Sequence, residues 1–259
     1  MAQESRSIAQ SLSAHMLRSL LLRVPSCALR RRHISAGAVP TLPDVALEEV
    51  KDHVWVARLS RPARGNAFSL DMAESVCKLP SVLPDSCRVL VITGSGEKAF
   101  CTGRDLVESK THTQEQATRY ITALGECVMS IKRAAIPTIA AINGAAFGGG
   151  LELAFGCDLR IVRSDATLCF PECRMGIFPG AAGTVLVPRI VGQARAKEII
   201  YTSRQFSGIE AFDWGIAQHC QYPGQPTALE KALELAGTIA AAGPLGVRGA
   251  KLAIDAVDT

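Results

Sequence analysis

The residues best suited to chemistry lie between Ala145 and Thr184, in AAFGGGLELAFGCDLRIVRSDATLCFPECRMGIFPGAAGT. Gly148, Gly149 and Gly150 separate an apolar run, Thr138 to Ile142, from LELAF, which reads as a helix start. A helix that begins directly after a glycine turn leaves its first N–H groups without intrahelical acceptors, and they carry partial positive charge. Such an end holds anions, including the oxyanion that develops in acyl chemistry. Gly149 suits this because a missing Cβ lets a ligand approach the backbone. Glu152 follows within the first turn, and Glu172 comes twenty residues later in PEC. Two carboxylates near one anion-binding turn make a candidate acid–base pair. Taken singly, each has a structural reading: Glu152 as a helix-start acid, Glu172 as a loop acid, the glycines as a tight turn.

The flanking chain reads as alternating strands and helices. Val54–Ser60 alternates apolar and polar residues, whereas Val89–Gly94 is fully apolar, like a buried strand. Ile136–Ile142 and the segment DLRIV from Asp158 are further strands. SLDMAESVCKL, from Ser69, is a short helix that Pro80 and Pro84 should end. Thr113 with Gln116 resembles a capping box. Ala117, Tyr120, Ile121, Leu124, Val128 and Ile131 then mark one helical face. This alternation predicts an α/β core of ββα-like units. From Arg195 onward, AKEIIYTS, GIEAFDWG, ALEKALELAGTIAAA and LGVRGAKLAIDAV all read as helices. The expected organisation is a leader over 1–40, a core carrying the candidate site over 41–194, and a helical region over 195–259.

Composition narrows the function classes. Of 259 residues, 48% are hydrophobic and 20% charged, as in a globular enzyme. No apolar run approaches the roughly 18 residues of a membrane span. The formal charge of +4 comes from the N-terminus: residues 1–43 hold six arginines and one acid, Glu4. The remainder has 22 basic against 23 acidic residues, so it offers no basic field for nucleic acid. The nine cysteines are scattered, without CxxC, and several sit in apolar segments, which reads as buried reduced thiols. The five histidines show no metal-ligand spacing.

The leader has its own signature. MLRSLLLRVPSCALRRRHISAGAV, from Met16, is rich in Arg and Ser and free of acids. Leu17, Leu20, Leu21 and Val24 share one helical face that Pro25 ends, which reads as a mitochondrial presequence directing the protein to the matrix. Met16 makes a conventional start, with residues 1–15 an upstream extension. The C-terminal AVDT is not a peroxisomal signal.

Four segments together resemble the crotonase, or enoyl-CoA hydratase/isomerase, family. They are RPARGNAFS (Arg61–Ser69), KAFCTGRDL (Lys98–Leu106), PTIAAINGAAFGGGLELAFGCDLRIV (Pro137–Val162) and FPECRMGIFPGAAGT (Phe170–Thr184). They occur in the family's order and spacing. The resemblance implies a crotonase-like fold of repeated ββα units with a C-terminal helical region. It implies that the N–H groups of Arg104 and Gly149 hold the thioester oxygen of an acyl-CoA. Thr102 stands where alanine is usual. The loop of Arg104, Asp105, Leu106 and Val107 is where family members hold the nucleotide part of CoA, although Asp105 reads equally as a brace for that loop. Arg64, Ala67, Thr102, Gly103 and Gly148 fall at positions that line the substrate. In family hydratases two glutamates hold a water against the double bond, matching Glu152 and Glu172, and Gly180 matches a glycine whose N–H touches that water. Asp158 reads as structural.

Adding water across a conjugated thioester needs a nucleophilic water, a proton for the α-carbon and a place for negative charge. Two carboxylates, one protonated and one ionised, can hold the water and move its protons, and pairing in an apolar pocket drives their titrations apart. No metal or redox cofactor is needed; coenzyme A arrives as part of the substrate. GGGLELAFGCDLRI and AKEIIYT look closest to the branch containing methylglutaconyl-CoA hydratase, which favours amino-acid over fatty-acid breakdown.

Family members commonly assemble as homotrimers or dimers of trimers. Alternatives within the family are an enoyl-CoA isomerase, an inactive paralogue, and a branch that binds RNA through a lysine-rich helix. Here Ser69–Leu83 holds only Lys78 against Asp71 and Glu74, and phosphate contact needs clustered cations. Family members usually continue with a helix that closes the CoA site, so the C-terminal region is expected to be truncated at Thr259. GAAGTVLVPR also departs from the usual Gly–Thr–Gln–Arg chemistry.

Overall fold

The computed structural model describes residues 41–110 and 112–258, so the expected leader lies outside the described residues. The apolar, β-branched runs become strands, and the order along the chain is strand, strand, helix. β1 (Val45–Lys51) and β2 (Val54–Leu59) precede α1 (Leu70–Val82). β3 (Val89–Gly94) and β4 (Ala99–Cys101) precede α2 (Leu106–Ser109) and α3 (Gln114–Lys132). β5 (Thr138–Ile142) and β6 (Ala145–Phe147) lead into α4 (Gly149–Gly156). β7 (Leu159–Arg163) and β8 (Thr167–Cys169) lead into a 3-10 turn, Glu172–Met175, and α5 (Gly183–Thr202). β9 (Phe206–Ser207), α6 (Gly208–Asp213), β10 (His219–Gln221), α7 (Ala228–Ala241) and α8 (Pro244–Asp255) follow.

β1 and β2 both join a large sheet; in the next three units, β3/β4, β5/β6 and β7/β8, the earlier strand joins that sheet and the later one a small sheet. The large sheet has the order β1-β2-β3-β5-β7-β10, and the small one β4-β6-β8-β9. All pairings are parallel except at the edges, where β1 and β9 run antiparallel. A parallel bridge between Phe68 and Arg104 places the segment after β2 beside the segment after β4. This is the ββα arrangement expected of an α/β chain.

Alternation along the strands sorts side chains between two cores. Trp55, Ala57, Leu59, Leu90, Ile92, Ala140 and Ile142 enter the main core with the inner faces of α1, α3 and α4. Val54, Val56, Val89, Val91, Ile139, Ala141 and Ile161 face the other way, against Ala228, Ala232, Ala236 and Ala240 of α7. Alanine at every fourth residue gives that helix a flat, small face, so it lies close to the sheet.

Three local readings change. α1 runs through Pro80 to Val82, forfeiting one hydrogen bond close to its C-terminal end, and stops at Leu83 before Pro84. The buried face of α3 is Tyr120, Leu124, Cys127, Val128 and Ile131; Ile121 lies outside it and is exposed, while the Thr113–Gln116 capping box forms as read. The helical stretches after Arg195 are present, and between them lie β9 and β10, too short to show a period.

Asp158 has the structural role expected of it. Its Oδ2 accepts the Thr138 N–H at 2.8 Å and the Thr138 hydroxyl at 3.1 Å. Its other oxygen pairs with Lys251, which also reaches Asp255 at 3.1 Å, and Asp255 pairs with Lys132 at 2.6 Å. These ion pairs matter because α8 has no fully buried residue. Lys251→Met should lower the opening free energy of the α8 amides by about 2 kcal/mol, less than for a fully buried pair and more than for an exposed one. Amide hydrogen exchange checks this, with the large-sheet amides expected to keep their protection.

Candidate active site

The small sheet gathers the site. β4, β6 and β8 are parallel neighbours, so their C-terminal ends lie side by side, where loops of a parallel sheet meet a ligand. Thr102–Asp105 leaves β4, Gly148 leaves β6, and Phe170–Glu172 leaves β8. Phe147 pairs with Cys169, and the Gly148 N–H donates to the Cys169 carbonyl at 3.0 Å. Residues far apart in the chain are thereby brought to one edge.

Two backbone donors come from the first two of these loops. The Phe68 N–H donates to the Gly103 carbonyl at 2.8 Å, and the Asp105 N–H donates to the Phe68 carbonyl at 2.9 Å. A trans peptide points its C=O and N–H in opposite directions, so the Arg104 N–H faces away from Phe68. Gly149 opens α4, and its N–H has no intrahelical acceptor. The loops touch at Gly103, where φ is +82° and a Cβ would lie 2.6 Å from the Phe147 carbonyl oxygen and 3.2 Å from the Gly149 nitrogen. Only glycine permits that approach.

Both candidate carboxylates border this turn and both are buried. Gly148 has φ +49°, and a Cβ there would lie 2.6 Å from Glu172 Oε1. Glu152 Oε2 lies 3.9 Å from the point where a Cβ on Gly149 would stand. Glu152 is 2% exposed, and its Oε1 accepts the Gly183 N–H at 2.7 Å. Burial pushes its carboxyl up to about 7; the N–H groups of Gly183 and Ala181 oppose the rise, and the charge of Glu172 adds to it. Glu172 is 7% exposed, and its Oε2 is buried without a hydrogen-bond partner among the described residues. Burial raises its carboxyl as well. An orphaned carboxylate oxygen beside a second protonatable carboxyl can receive a water or a polar substrate atom.

The resemblance gives Gly180 an N–H that touches the water, and Gly180 is exposed on the same loop. Glu152 has a further N–H partner that the sequence reading did not name, Gly183, three residues on. The sequence signal was available: Gly183 opens α5, and a helix's first N–H seeks an acceptor outside the helix. Ala182 between them takes a left-handed conformation, φ 87°, which costs a residue with a Cβ about 1 kcal/mol.

The remaining candidates divide. Asp105 accepts the N–H groups of Val107 at 3.0 Å and Glu108 at 3.2 Å, capping α2. Arg64 reaches both of its oxygens, at 3.0 and 3.2 Å, and Arg61, which the sequence did not single out, reaches it at 3.1 Å. These contacts brace the loop, as one of its two readings expects. Burial pushes this carboxyl up, but Arg64 and the two N–H groups outweigh it and hold the carboxyl below the usual range. Ala67 is buried, and its carbonyl accepts from Arg61 Nη1 at 2.7 Å. The Thr102 side chain packs against Gly65, 3.0 Å from where a Cβ would stand. Leu106 and Val107 project into solvent at the rim, 54% and 60% exposed. Cys101 and Cys157 are buried free thiols pushed up to about 12 by that burial, so they are not nucleophiles.

Comparison with known proteins identifies the family. The sequence pattern of the family described as Enoyl-CoA hydratase/isomerase matches residues 49–258. A Bacillus subtilis (strain 168) protein carrying the name enoyl-CoA hydratase/isomerase is 40% identical over 206 residues, spanning 79% of this chain and 78% of its own. The mitochondrial methylglutaconyl-CoA hydratase of Mus musculus is 36% identical over 214 residues, 81% of this chain and 68% of its own. The crystal structure of an enoyl-CoA hydratase from Bacillus anthracis superposes with a TM-score of 0.78 at 38% identity, covering 82% of each chain.

The Glu152 environment has a consequence for stability. Below the ordinary value of 4.5, folded and unfolded chains both hold this proton, and burial of the carboxyl carries no charge penalty. Between 4.5 and about 7 the folded protein keeps a proton that the unfolded chain has lost, so stability falls as pH rises, by on the order of 3 kcal/mol in all. Glu152→Gln keeps the acceptor for Gly183 and removes the charge. It should therefore stabilise the protein by about 2 kcal/mol at pH 8 and by little near pH 4, read from denaturant midpoints at the two pH values.

Proposed function

The chain belongs to the enoyl-CoA hydratase/isomerase, or crotonase, family, and we propose that it is a 2-enoyl-CoA hydratase. The observation that carries this reading is the burial of Glu152 and Glu172 beside Gly148–Gly149, both with raised carboxyls and one with an oxygen unpartnered among the described residues. The thioester oxygen accepts the N–H groups of Arg104 and Gly149. With the oxygen so held, electron density withdrawn from the conjugated double bond leaves C3 open to attack. A water held between the two carboxyls bonds to C3 and gives up a proton to the ionised partner. The enolate that results is stabilised by the same two N–H groups and collapses as C2 takes a proton from the pair. One proton is accepted and one delivered, so the pair finishes with the single proton it began with. Carboxyls and backbone amides suffice for these steps; CoA enters as part of the substrate and leaves on the product.

The same reading extends to setting. Thiolester substrates of branched-chain amino-acid or fatty-acid breakdown fit the chemistry, and the methylglutaconyl-CoA hydratase relative favours the former. The arginine-rich leader and the mitochondrial name of that relative support a matrix enzyme. Met175, Ile177, Phe178 and Val185 lie exposed in and beside the turn that carries Glu172, an apolar surface that supports assembly into a homotrimer or a dimer of trimers. An isomerase would move the double bond with one relay carboxylate; the paired acids here are better matched to holding water.

Hydration is followed as loss of enoyl-thioester ultraviolet absorbance with crotonyl-CoA. Glu152→Gln and Glu172→Gln should each slow it by about 10²–10⁴-fold. Unchanged rates in both variants would rule the mechanism out.

A further inference from the structure

Tyr120 is the largest fully buried side chain of α3, and its ring is a member of the main core. Packing alone would be served by phenylalanine, yet the hydroxyl is used twice. It donates to the Phe68 carbonyl oxygen and accepts the Asp105 N–H at 3.1 Å. Burial holds the phenol above its usual range, so the proton it donates stays in place. The ring is fixed in turn: the Arg104 guanidinium lies over one face, 5.2 Å from its centre, and the His112 ring meets its edge at 5.3 Å. Arg104 Nε is itself tied to Ser109 Oγ at 2.6 Å.

Phe68 and Asp105 are the two groups that set the direction of the Arg104 N–H. The Phe68 N–H holds the Gly103 carbonyl, which shares a peptide plane with the Arg104 N–H; the Phe68 carbonyl holds the Asp105 N–H in the next plane. The phenol bonds both the Phe68 carbonyl and the Asp105 N–H, so it locks the two bridged segments against sliding or rotating. We infer that Tyr120 is a positioning residue whose hydroxyl aims the Arg104 N–H at the thioester oxygen. The inference rests on the reading of Arg104 as an oxyanion donor. It adds a residue on another element, outside the substrate's reach, through which that donor is held.

Removing the hydroxyl leaves the donor present but unsteady, so the loss should be smaller than deletion of a donor: about tenfold in kcat, with KM changed less than about twofold. A structural role alone would not alter polarisation of a bound carbonyl, and that is the deciding readout. Butyryl-CoA, isotope-labelled at the thioester carbonyl, binds without being hydrated, and infrared difference spectra report its carbonyl stretch on the full-length protein. The wild type should lower that frequency relative to free butyryl-CoA. Tyr120→Phe should return it part of the way, and Glu152→Gln should keep the lowered band while losing hydration. An unchanged band and a kcat within twofold of wild type in Tyr120→Phe would overturn the Tyr120 inference alone. No lowering in the wild type would overturn the oxyanion reading itself, and this inference with it. Should Tyr120→Phe not fold, Tyr120→Met fills similar space without the hydroxyl and is read the same way.

Discussion

The Glu172 carboxylate occupies the space that any side chain at position 148 would need, 2.6 Å from where its Cβ would stand. That exclusion organises the region. A glycine with positive φ at 148 turns the chain from β6 into α4 within one residue, which delivers the Gly149 N–H to the sheet edge and turns Glu152 back toward the same point. The partner loop can then close only because Gly103 is equally bare. A Cβ at either position would separate the donors from each other or from the acids. Hydrogen-bond donors, carboxyls and the strand ends that carry them are thus set by close approach of backbone to side chain.

This arrangement costs stability, and the rest of the fold has to offset it. A Glu152 carboxyl raised to about 7 corresponds to a penalty on the order of 3 kcal/mol once ionised, a large share of the roughly 5–15 kcal/mol that holds a domain together. Glu172 leaves a buried oxygen without a partner among the described residues, and Ala182 sits in a left-handed conformation. All of these lie in and around the candidate site. The large sheet, with apolar residues on both faces and α7 fitted closely to one of them, carries a single comparable defect among the described residues, the unpartnered Nε1 of Trp55. Stability is built in one sheet and reactive geometry in the other, and after the first unit, whose β1 and β2 share the large sheet, the ββα order divides each pair of strands between the two.

Legibility in the sequence follows the same division. β2, β3, β5 and β7 are five or six residues long and rich in Val and Ile, so their pattern is readable. β4, β6 and β8 have three residues each, too few for any period, although they place every proposed catalytic group. The glycines and the two glutamates were nevertheless visible, because their residue types and order carry the signal without the strands. What sequence could not supply was partnership. Arg61 and Arg64 converge on Asp105 only through folding, and the Gly183 N–H reaches Glu152 through the turn at Ala182. Tyr120 read only as one apolar position on a helix, since periodicity reports a side chain's face and not what its hydroxyl meets.

The central claim is that the two buried carboxyls deliver a water to the substrate rather than shift its double bond. Turnover of crotonyl-CoA in heavy-oxygen water, followed by mass and magnetic resonance analysis of the product, tests it most directly. The expected product is 3-hydroxybutyryl-CoA with a heavy oxygen on C3 and a new hydrogen on C2. An unlabelled product isomeric with the substrate, its double bond moved and no oxygen added, would contradict it.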